Sequence, residues 1–402
     1  MIGTPTHRIA LGFTLLALLC GAVHASSDKP LKSIVADLAP AADGADVLFV
    51  AAGDNRPTGW GAPMPHVVRT VFEEVGLIRP DFVIWSGDTV YGYCDSGADL
   101  RREHDAFAAL AKLGQVPLFN TTGNHEIHGE QTCKEPPASE LCGGPCAMQQ
   151  YVERYGGPYG SFDYAGAHFI ALSTDLEGQE DDIKGEQLAW LKRDLEANKK
   201  ARAIFLYTHT EFYSSLKIDP EAGRSHPPVK SRDALHALFK QYPVKAVFSG
   251  HEHLYWRETH DGIDYFILGG AGAPLYAGPE DGGFSQYLVV RLKGDKLTYD
   301  LIEPGRLFTE AATASEDAGK LWVVNSNNND LPLRGIEMSV PAATAECMAL
   351  AASGTMLRRK DNPPTFTIAS CLTDGGTRNL RLQTDSFPRR KSILVTAGKR
   401  PE

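Results

Sequence analysis

Short apolar runs alternate with amphipathic stretches through the first three quarters of the chain. The apolar runs are four to six residues long and rich in β-branched and aromatic side chains, which favours buried strands. They lie at residues 47–52, 81–86, 116–120, 168–173, 203–208, 244–249 and 265–268. Helical patterns lie between several of them, at 66–75, 98–113, 186–197 and 231–241. This alternation predicts an α/β domain, followed by a hairpin over 286–302.

The last part of the chain has a different pattern. After an Asn-rich stretch at 325–330, alternating segments typical of exposed strands lie at 335–340, 365–370, 379–384 and 392–397. Basic residues outnumber acidic ones from residue 334 onward, whereas the rest of the chain is acidic. We therefore predict an α/β domain over 46–305, a linker over 306–333 and a small C-terminal β module over 334–402.

The N-terminal sequence predicts export. His7 and Arg8 precede an apolar stretch at 9–23, and Val23-His24-Ala25 offers small residues at the −3 and −1 positions of a cleavage site. We expect a signal peptide over 1–25, a linker over 26–45, and a secreted or periplasmic protein. The alternative is a membrane anchor, although the stretch is short for a span and no other run is long enough.

Six of the seven cysteines lie beyond the expected signal peptide. An even number of cysteines in an exported protein is typical of disulfide bonds. We expect Cys347 and Cys371 to pair within the C-terminal module. The remaining four allow three pairings, or alternatively a thiolate zinc site; they are Cys94, Cys133, Cys142 and Cys146.

Composition and charge narrow the function classes. With 43% hydrophobic and 22% charged residues the chain has ordinary globular composition, which argues against a disordered or fibrous protein. The net charge of −10 argues against a nucleic-acid-binding surface, because phosphate backbones attract basic surfaces.

Polar residues directly follow five of the predicted strands. In chain order the clusters are Gly53-Asp54-Asn55-Arg56, Gly87-Asp88-Thr89-Val90-Tyr91, Gly123-Asn124-His125-Glu126, His209 and Gly250-His251-Glu252-His253. Because the carboxyl ends of strands in an open α/β sheet lie at one edge, we expect these clusters to meet there. Converging carboxylate, amide and imidazole groups predict a metal site.

This series of clusters resembles the calcineurin-like metallophosphoesterase superfamily over about residues 46–303. The family series is Asp-x-His, Gly-Asp, Gly-Asn-His-Asp/Glu, a lone His and Gly-His-x-His, and four of its five elements match. Segments 185–191 and 269–275 also look like family segments. The resemblance implies that the domain at 46–305 is a four-layer α/β/β/α sandwich built around two metal ions.

Arg56 stands where the family often has a ligating histidine. Purple acid phosphatases also lack that histidine and take a tyrosine ligand from Gly-Asp-x-x-Tyr, a spacing that Asp88 and Tyr91 reproduce. The chain therefore resembles that branch most. A guanidinium stays protonated, so Arg56 cannot bind a cation but can hold a phosphate oxygen. The alternatives are a structural ion pair for Arg56 and an ordinary cleft aromatic for Tyr91.

The resemblance also implies a ligand set. Its members are Asp54, Asp88, Tyr91, Asn124, His209, His251 and His253. Asp88 would bridge the two metals. Asp54, His253 and Tyr91 would complete one metal shell, and Asn124, His209 and His251 the other. A phenolate suits ferric iron, whereas imidazole and carboxylate suit zinc, manganese or ferrous iron. We expect two divalent or mixed-valence ions, iron with zinc, manganese or a second iron.

Two further histidines are expected near the metals. His125 would not bind metal but would act on the leaving group, held by an acid such as Asp95 or Glu126. His128, close to His125, and Arg56 are expected to contact substrate.

The function implied is that of an acid phosphatase-like, exported metal-dependent phosphoesterase acting on small phosphomonoesters. The metals would activate a water so that hydroxide attacks phosphorus in line. One alternative is a phosphodiesterase acting on nucleotides or phospholipid head groups. An alternative of another class is a non-catalytic metal-binding or adhesion protein with the same fold.

Overall fold

A computed structural model describes residues 29–92, 97–127, 144–214, 227–311, 320–341, 355–356 and 366–396. The expected signal peptide therefore lies outside the described residues. Of the expected linker at 26–45, the part from residue 29 onward runs along the domain, where Leu31 bridges to Gly156 and Ile34 bonds to the backbone of Leu118.

In the described residues of the first three quarters of the chain, eleven strands form two sheets. They are β1 (Val47–Ala52), β2 (Phe82–Trp85), β3 (Leu118–Asn120), β4 (Gly160–Tyr164), β5 (Ala167–Ala171), β6 (Ile204–Tyr207), β7 (Val244–Ser249), β8 (Tyr255–His260), β9 (Ile263–Leu268), β10 (Tyr287–Lys293) and β11 (Lys296–Ile302). One sheet has the order β11-β10-β1-β2-β3, and the other β4-β5-β6-β7-β9-β8. β1, β2 and β3 are mutually parallel, as are β5, β6, β7 and β9.

Helices cover the outer faces of both sheets. The α-helices in the described residues are α1 (His66–Ile78), α2 (Gly97–Ala111), α3 (Asn124–Ile127), α4 (Gly144–Tyr155), α5 (Gly185–Ala197) and α6 (Arg232–Phe239), of which α1, α2, α5 and α6 cover these faces. Apolar residues of α1 and α2 share a buried cluster with β1 and β2. Those of α5 and α6 share another with β5, β6 and β7. The four predicted helices are therefore present, with ends shifted by up to three residues.

The two sheets pack face to face through an aromatic core. Alternate residues of β1 point to opposite layers, since Val50 joins the cluster under α1 while Phe49 packs edge-on against Phe169 and Phe205, with 5.4 Å between ring centroids in each pair. A strand buried on both faces reads as a continuous apolar run, which is why β1 was visible in the sequence. The layers are α/β/β/α, which confirms the expected fold class.

The C-terminal part is entirely β-structure in the described residues. Its strands are β12 (Leu307–Ala311), β13 (Lys320–Asn325), β14 (Leu331–Pro341), β15 (Thr355–Met356), β16 (Thr367–Asp374), β17 (Thr377–Phe387) and β18 (Lys391–Thr396). They form sheets of order β12-β13-β18-β15 and β14-β17-β16. The expected linker at 306–333 instead carries β12, β13 and the start of β14.

These C-terminal sheets share the core of the α/β domain. Leu333, Ile336 and Ile393 are fully buried in the same cluster as Val71 and Val75 of α1. α1 is therefore sandwiched between the five-stranded sheet and the C-terminal strands.

Among the described residues, one cysteine gives information on disulfide bonds. Cys371 on β16 is disulfide-bonded. Its expected partner Cys347 lies outside the described residues, as do Cys94, Cys133, Cys142 and the side chain of Cys146. Across the described part of the chain, no helix has the length and apolarity that a membrane span requires.

Candidate metal centre

The parallel strands of both sheets end at one edge, and the turns there carry the predicted clusters. Asp54 follows β1, Asp88 follows β2, His209 follows β6 and His251 follows β7. Main-chain bonds from Asp54 to Gly87 and from Gly250 to His209 tie these turns together. Asp54, Asp88 and His251 have φ of 59°, 53° and 68°. Such left-handed conformations are costly for non-glycine residues and concentrate at functional sites.

Asp54, Asp88 and His253 form one group of candidate ligands. One potential ligand atom from each lies within 4.8 Å of those of the other two, and all three residues are buried. Oδ2 of Asp54 is buried without a hydrogen-bond partner. Nδ1 of His253 donates to the carbonyl of Pro274 at 2.6 Å, so its Nε2 carries the lone pair and lies 3.5 Å from Oδ1 of Asp54.

A second group surrounds Nε2 of His209. Oδ1 of Asn124, Nδ1 of His251 and Oδ1 of Asp88 lie 2.9, 3.0 and 3.4 Å from it. Nδ1 of His209 donates to the carbonyl of Ser86 at 2.8 Å, which again leaves Nε2 as the lone-pair nitrogen. Asp88 belongs to both groups and is the residue between them.

The two groups bring buried carboxylates and imidazole lone pairs close together, an arrangement that a bound cation would stabilise. Burial lowers the pKa of His209, but the carboxylates of Asp88 and Asp54 outweigh it and raise that pKa to about 10. Burial raises the pKa of Asp54. Burial acts on Asp88 in the same direction, yet the imidazoles of His209 and His125 hold its pKa well below its usual range. Buried lone pairs that converge in this way are stable around a cation, so the residues present fit metal ions.

Two glycines leave the space that the carboxylates of Asp54 and Asp88 occupy, because they have no Cβ. A Cβ on Gly250 would lie 1.9 Å from Oδ2 of Asp54, and a Cβ on Gly123 would lie 2.3 Å from Oδ1 of Asp88. Larger residues at either position would displace a candidate ligand.

Glu126 holds two of the turns together rather than orienting His125. Its carboxylate accepts the main-chain N–H groups of Gly123, Asp88 and Thr89 at 2.8, 3.0 and 2.7 Å. Burial and the nearby Asp88 raise its pKa to about 7. The expectation that Glu126 orients His125 thus gives way to a different role, because the carboxylate is used on backbone donors. Asp95, the other acid expected there, lies outside the described residues.

His125 lies beside the second group with its ring fixed by the backbone. Its Nδ1 donates to the carbonyl of Tyr91 at 2.5 Å, and its Nε2 lies 3.9 Å from Oδ2 of Asp88. Burial lowers the pKa of His125 to about 4, against the opposing effect of Asp88.

Arg56 and Tyr91 lie at the same edge. Nε of Arg56 is 3.6 Å from Oδ2 of Asp88, and its Cζ is 5.9 Å from the ring centroid of Tyr91. The Tyr91 ring is 5.6 Å from that of His125. Coordination by Tyr91 stays a prediction, and His128 lies outside the described residues.

Tyr276 was missed by the sequence reasoning. Its ring stacks on that of His253 with the ring centroids 4.0 Å apart. The available signal was its position directly after the family-like segment 269–275.

Comparison with known proteins agrees with this geometry. Residues 19–255, more than half of the chain, match the model of the calcineurin-like phosphoesterase family. The chain is 31% identical over 181 residues to purple acid phosphatase 23 of Arabidopsis thaliana, covering 42% of this chain and 34% of that protein. It is 25% identical over 204 residues to the serine/threonine-protein phosphatase CPPED1 of Danio rerio, covering 49% and 62%. The match thus spans about a third of the first relative and less than two thirds of the second.

A solved structure shares the fold. The purple acid phosphatase PPD1 from yellow lupin (Lupinus luteus) seeds matches with a TM-score of 0.51 at 18% identity, covering 65% of this chain and 52% of that one.

Proposed function

Because this chain belongs to the calcineurin-like phosphoesterase family, we propose that it is an exported dinuclear-metal phosphoesterase that hydrolyses phosphomonoesters. The main support for this proposal is the convergence of candidate ligands. Carboxylate, amide and imidazole groups from five separate turns converge at one sheet edge, with the lone pairs of two imidazoles aimed inward by bonds to main-chain carbonyls.

The ligand sets follow from the two groups. Asp54 and His253 would hold one metal, Asn124, His209 and His251 the other, and Asp88 both. Bound metal ions would supply an activated water at neutral pH and neutralise charge on the phosphoryl oxygens.

The surrounding residues act on substrate. Arg56 is almost buried, with a side chain 13% exposed, and places its guanidinium beside the candidate metal ligand Asp88. A permanent positive charge there would bind a phosphoryl oxygen. Because Nδ1 of His125 donates to a carbonyl, Nε2 is the nitrogen that takes up a proton, and the imidazolium so formed would pass that proton to the departing oxygen.

The test is a comparison of an aryl phosphate with a bis-aryl phosphate. We expect a higher kcat/KM for the monoester, because its additional negative charge interacts with Arg56. A higher kcat/KM for the diester would favour the phosphodiesterase alternative. No turnover of either ester by metal-loaded protein would favour the non-catalytic alternative.

Tyr91 is proposed to ligate iron at the site. If it does, iron-containing protein has a visible phenolate-to-iron absorption band that Tyr91→Phe removes. Tyr265→Phe is the matched control, because that hydroxyl bonds to His236 at 2.7 Å, away from the candidate ligands. A band that survives in Tyr91→Phe contradicts this ligand.

Export is proposed from the sequence at 1–25. N-terminal sequencing of the protein recovered from outside the cytoplasm is expected to begin at Ser26. A start at Met1 would contradict it.

A further inference from the structure

The turn that follows β2 is bonded to a carboxylate of the neighbouring helix α2. Oε2 of Glu103 accepts the main-chain N–H groups of Tyr91 and Gly92 at 2.8 and 3.2 Å. The hydrogen bonds of this carboxylate in the described part of the chain go to these two N–H groups. Glu103 therefore holds the end of the turn that begins at the candidate ligand Asp88.

The peptide group between Tyr91 and Gly92 connects Glu103 to His125. A trans peptide group is planar, so its N–H and its C=O point in opposite directions and move together. The N–H of this group, which belongs to Gly92, donates to Glu103, while its C=O, which belongs to Tyr91, accepts Nδ1–H of His125 at 2.5 Å. A rotation of this plane that breaks one bond therefore disturbs the other.

Gly92 allows the turn to lie directly against the backbone of His125. Its φ is 75°, in the left-handed region that favours glycine. A Cβ at this position would lie 1.9 Å from the main-chain oxygen of His125. The peptide group and the imidazole are thus held at short range, with little room for either to shift.

Helix α2 is itself fixed on both sides of Glu103. Leu100 is fully buried and shares a small apolar cluster with Val90, the residue directly before the turn's last two residues. His104 is also fully buried, and its Nδ1 lies 3.2 Å from the hydroxyl of Tyr155 on α4. The carboxylate of Glu103 is therefore presented from a packed element, which is what a support for a reacting group requires.

We propose that Glu103 is a positioning residue that sets the direction of the His125 imidazole through the peptide group between Tyr91 and Gly92. The proposal rests on the proposed function, in which His125 passes a proton to the departing oxygen. Proton transfer requires the donor nitrogen to lie within hydrogen-bond reach of that oxygen, so a small rotation of the ring lowers the rate.

A purely structural role for Glu103 makes a different prediction. If Glu103 only stabilises the turn, its loss affects the turnover of all esters alike. If it acts through His125, the loss depends on the leaving group. A nitrophenolate departs readily without a proton, whereas an alkoxide needs one.

The kinetic experiment compares kcat for ethyl phosphate and para-nitrophenyl phosphate on metal-loaded protein. We expect Glu103→Ala to lower kcat for ethyl phosphate about 10–100-fold and for the nitrophenyl ester only a few-fold, with metal content unchanged. In a His125→Ala background the same change has no further effect. Glu103→Gln is expected to restore the rate, because its amide oxygen accepts the same two N–H groups.

Asp105→Ala is the matched control, since Asp105 lies on the same helix but is 68% exposed and pairs with Arg154. It is expected to change neither rate. Should Glu103→Ala not fold, Glu103→Asp takes its place with the same expected outcomes, because its carboxylate is one methylene further from the turn. Circular dichroism checks the fold of each variant.

A second measurement does not depend on turnover. In protein with isotope-labelled histidine and bound zinc, the Nδ1–H signal of His125 is identified by its absence from His125→Ala. We expect slow exchange of this proton with water in wild type, Glu103→Gln and Asp105→Ala, and faster exchange in Glu103→Ala, because the acceptor carbonyl is no longer held.

Three results would overturn the proposal: equal losses of kcat for the two esters in Glu103→Ala, an undiminished loss in the His125→Ala background, or unchanged exchange of the His125 proton. A wild type that hydrolyses neither ester, but whose His125 proton exchanges faster in Glu103→Ala, refutes the proposed function and leaves the positioning by Glu103 supported.

Discussion

The chemistry at the residue scale depends on which imidazole nitrogen carries the proton. His125, His209 and His253 each donate Nδ1–H to a main-chain carbonyl, which fixes Nε2 as the reactive nitrogen. A carbonyl cannot donate, so the tautomer follows from the partner. Nε2 of His209 and Nε2 of His253 lie within the two groups of candidate ligands, whereas Nε2 of His125 lies 3.9 Å from Asp88 and is proposed to act on substrate.

His125→Ala is expected to lower kcat about 10²–10⁴-fold without loss of metal, because His125 is proposed to transfer a proton and not to bind metal. Steady-state kinetics and metal analysis measure both quantities. The control is His236→Ala, since His236 bonds to Tyr265 and Asp261 away from the centre. Full turnover in His125→Ala would reject the role.

The sequence predicted the candidate ligands better than it predicted their supports. Asp54, Asp88 and His253 are brought together as expected, because each follows a strand end within a short motif. The carbonyls of Ser86, Pro274 and Tyr91 could not be predicted, because every residue has a carbonyl and only the fold selects one. The carbonyl of Tyr91 accepts Nδ1–H of His125, whereas the contact expected from Asp95 stays a prediction, because Asp95 lies outside the described residues.

At the scale of elements, the centre depends on sharp turns after parallel strands. Gly250 follows β7 and leaves room for the Asp54 carboxylate. Buried strands were recognised from their apolar runs, whereas β8, whose residues are mostly exposed or half-buried, gave no such signal. β12 and β13 were missed because β12 pairs only with β13 in the described residues, and β13 pairs in turn with β18, which is distant in the sequence.

Gly250→Ala is expected to lower metal affinity about 10–100-fold, the usual loss when the support of a ligand is disturbed. The cause is the clash of the new Cβ with Asp54. Gly376→Ala is the control, because a Cβ there meets nothing within 4 Å. Competition with a chelator measures affinity, and circular dichroism checks the fold. Unchanged affinity in Gly250→Ala would contradict the geometry.

At the scale of the whole molecule, the C-terminal strands and the α/β domain form one structure. Glu74 of α1 is buried and links three parts of the chain. It accepts the hydroxyl of Tyr287 at 2.8 Å and the N–H groups of Gly305 and Leu307 at 2.9 and 2.8 Å. The small module expected from residue 334 onward is packed on α1 through apolar contacts, and Glu74 fixes the segment that leads to it. The charge pattern could not show this, because it reports the surface and not the core.

Glu74 makes stability depend on pH. Burial raises its pKa from 4.5 to about 7, despite the hydrogen bonds that oppose this. The folded protein then holds the proton more tightly than the unfolded chain, so this contribution is complete below pH 4.5 and is lost as pH rises towards 7. Between pH 5 and pH 8 wild type is expected to lose on the order of 2–3 kcal/mol of unfolding free energy relative to Glu74→Gln. Urea denaturation of both proteins measures this. A constant difference, or one that changes in the opposite direction, would disprove it.

We propose that residues spread over about two hundred positions of the chain hold two metal ions, and that the loaded centre hydrolyses phosphoesters. Metal quantification coupled to turnover of an aryl phosphate tests it most directly, with wild type compared to Asp88→Asn and to the exposed control Asp385→Asn. We predict about two metal equivalents and turnover in wild type and the control, and loss of both together in Asp88→Asn, because Asp88 belongs to both ligand groups. Undiminished turnover in Asp88→Asn, or in wild type stripped of metal, would contradict the account.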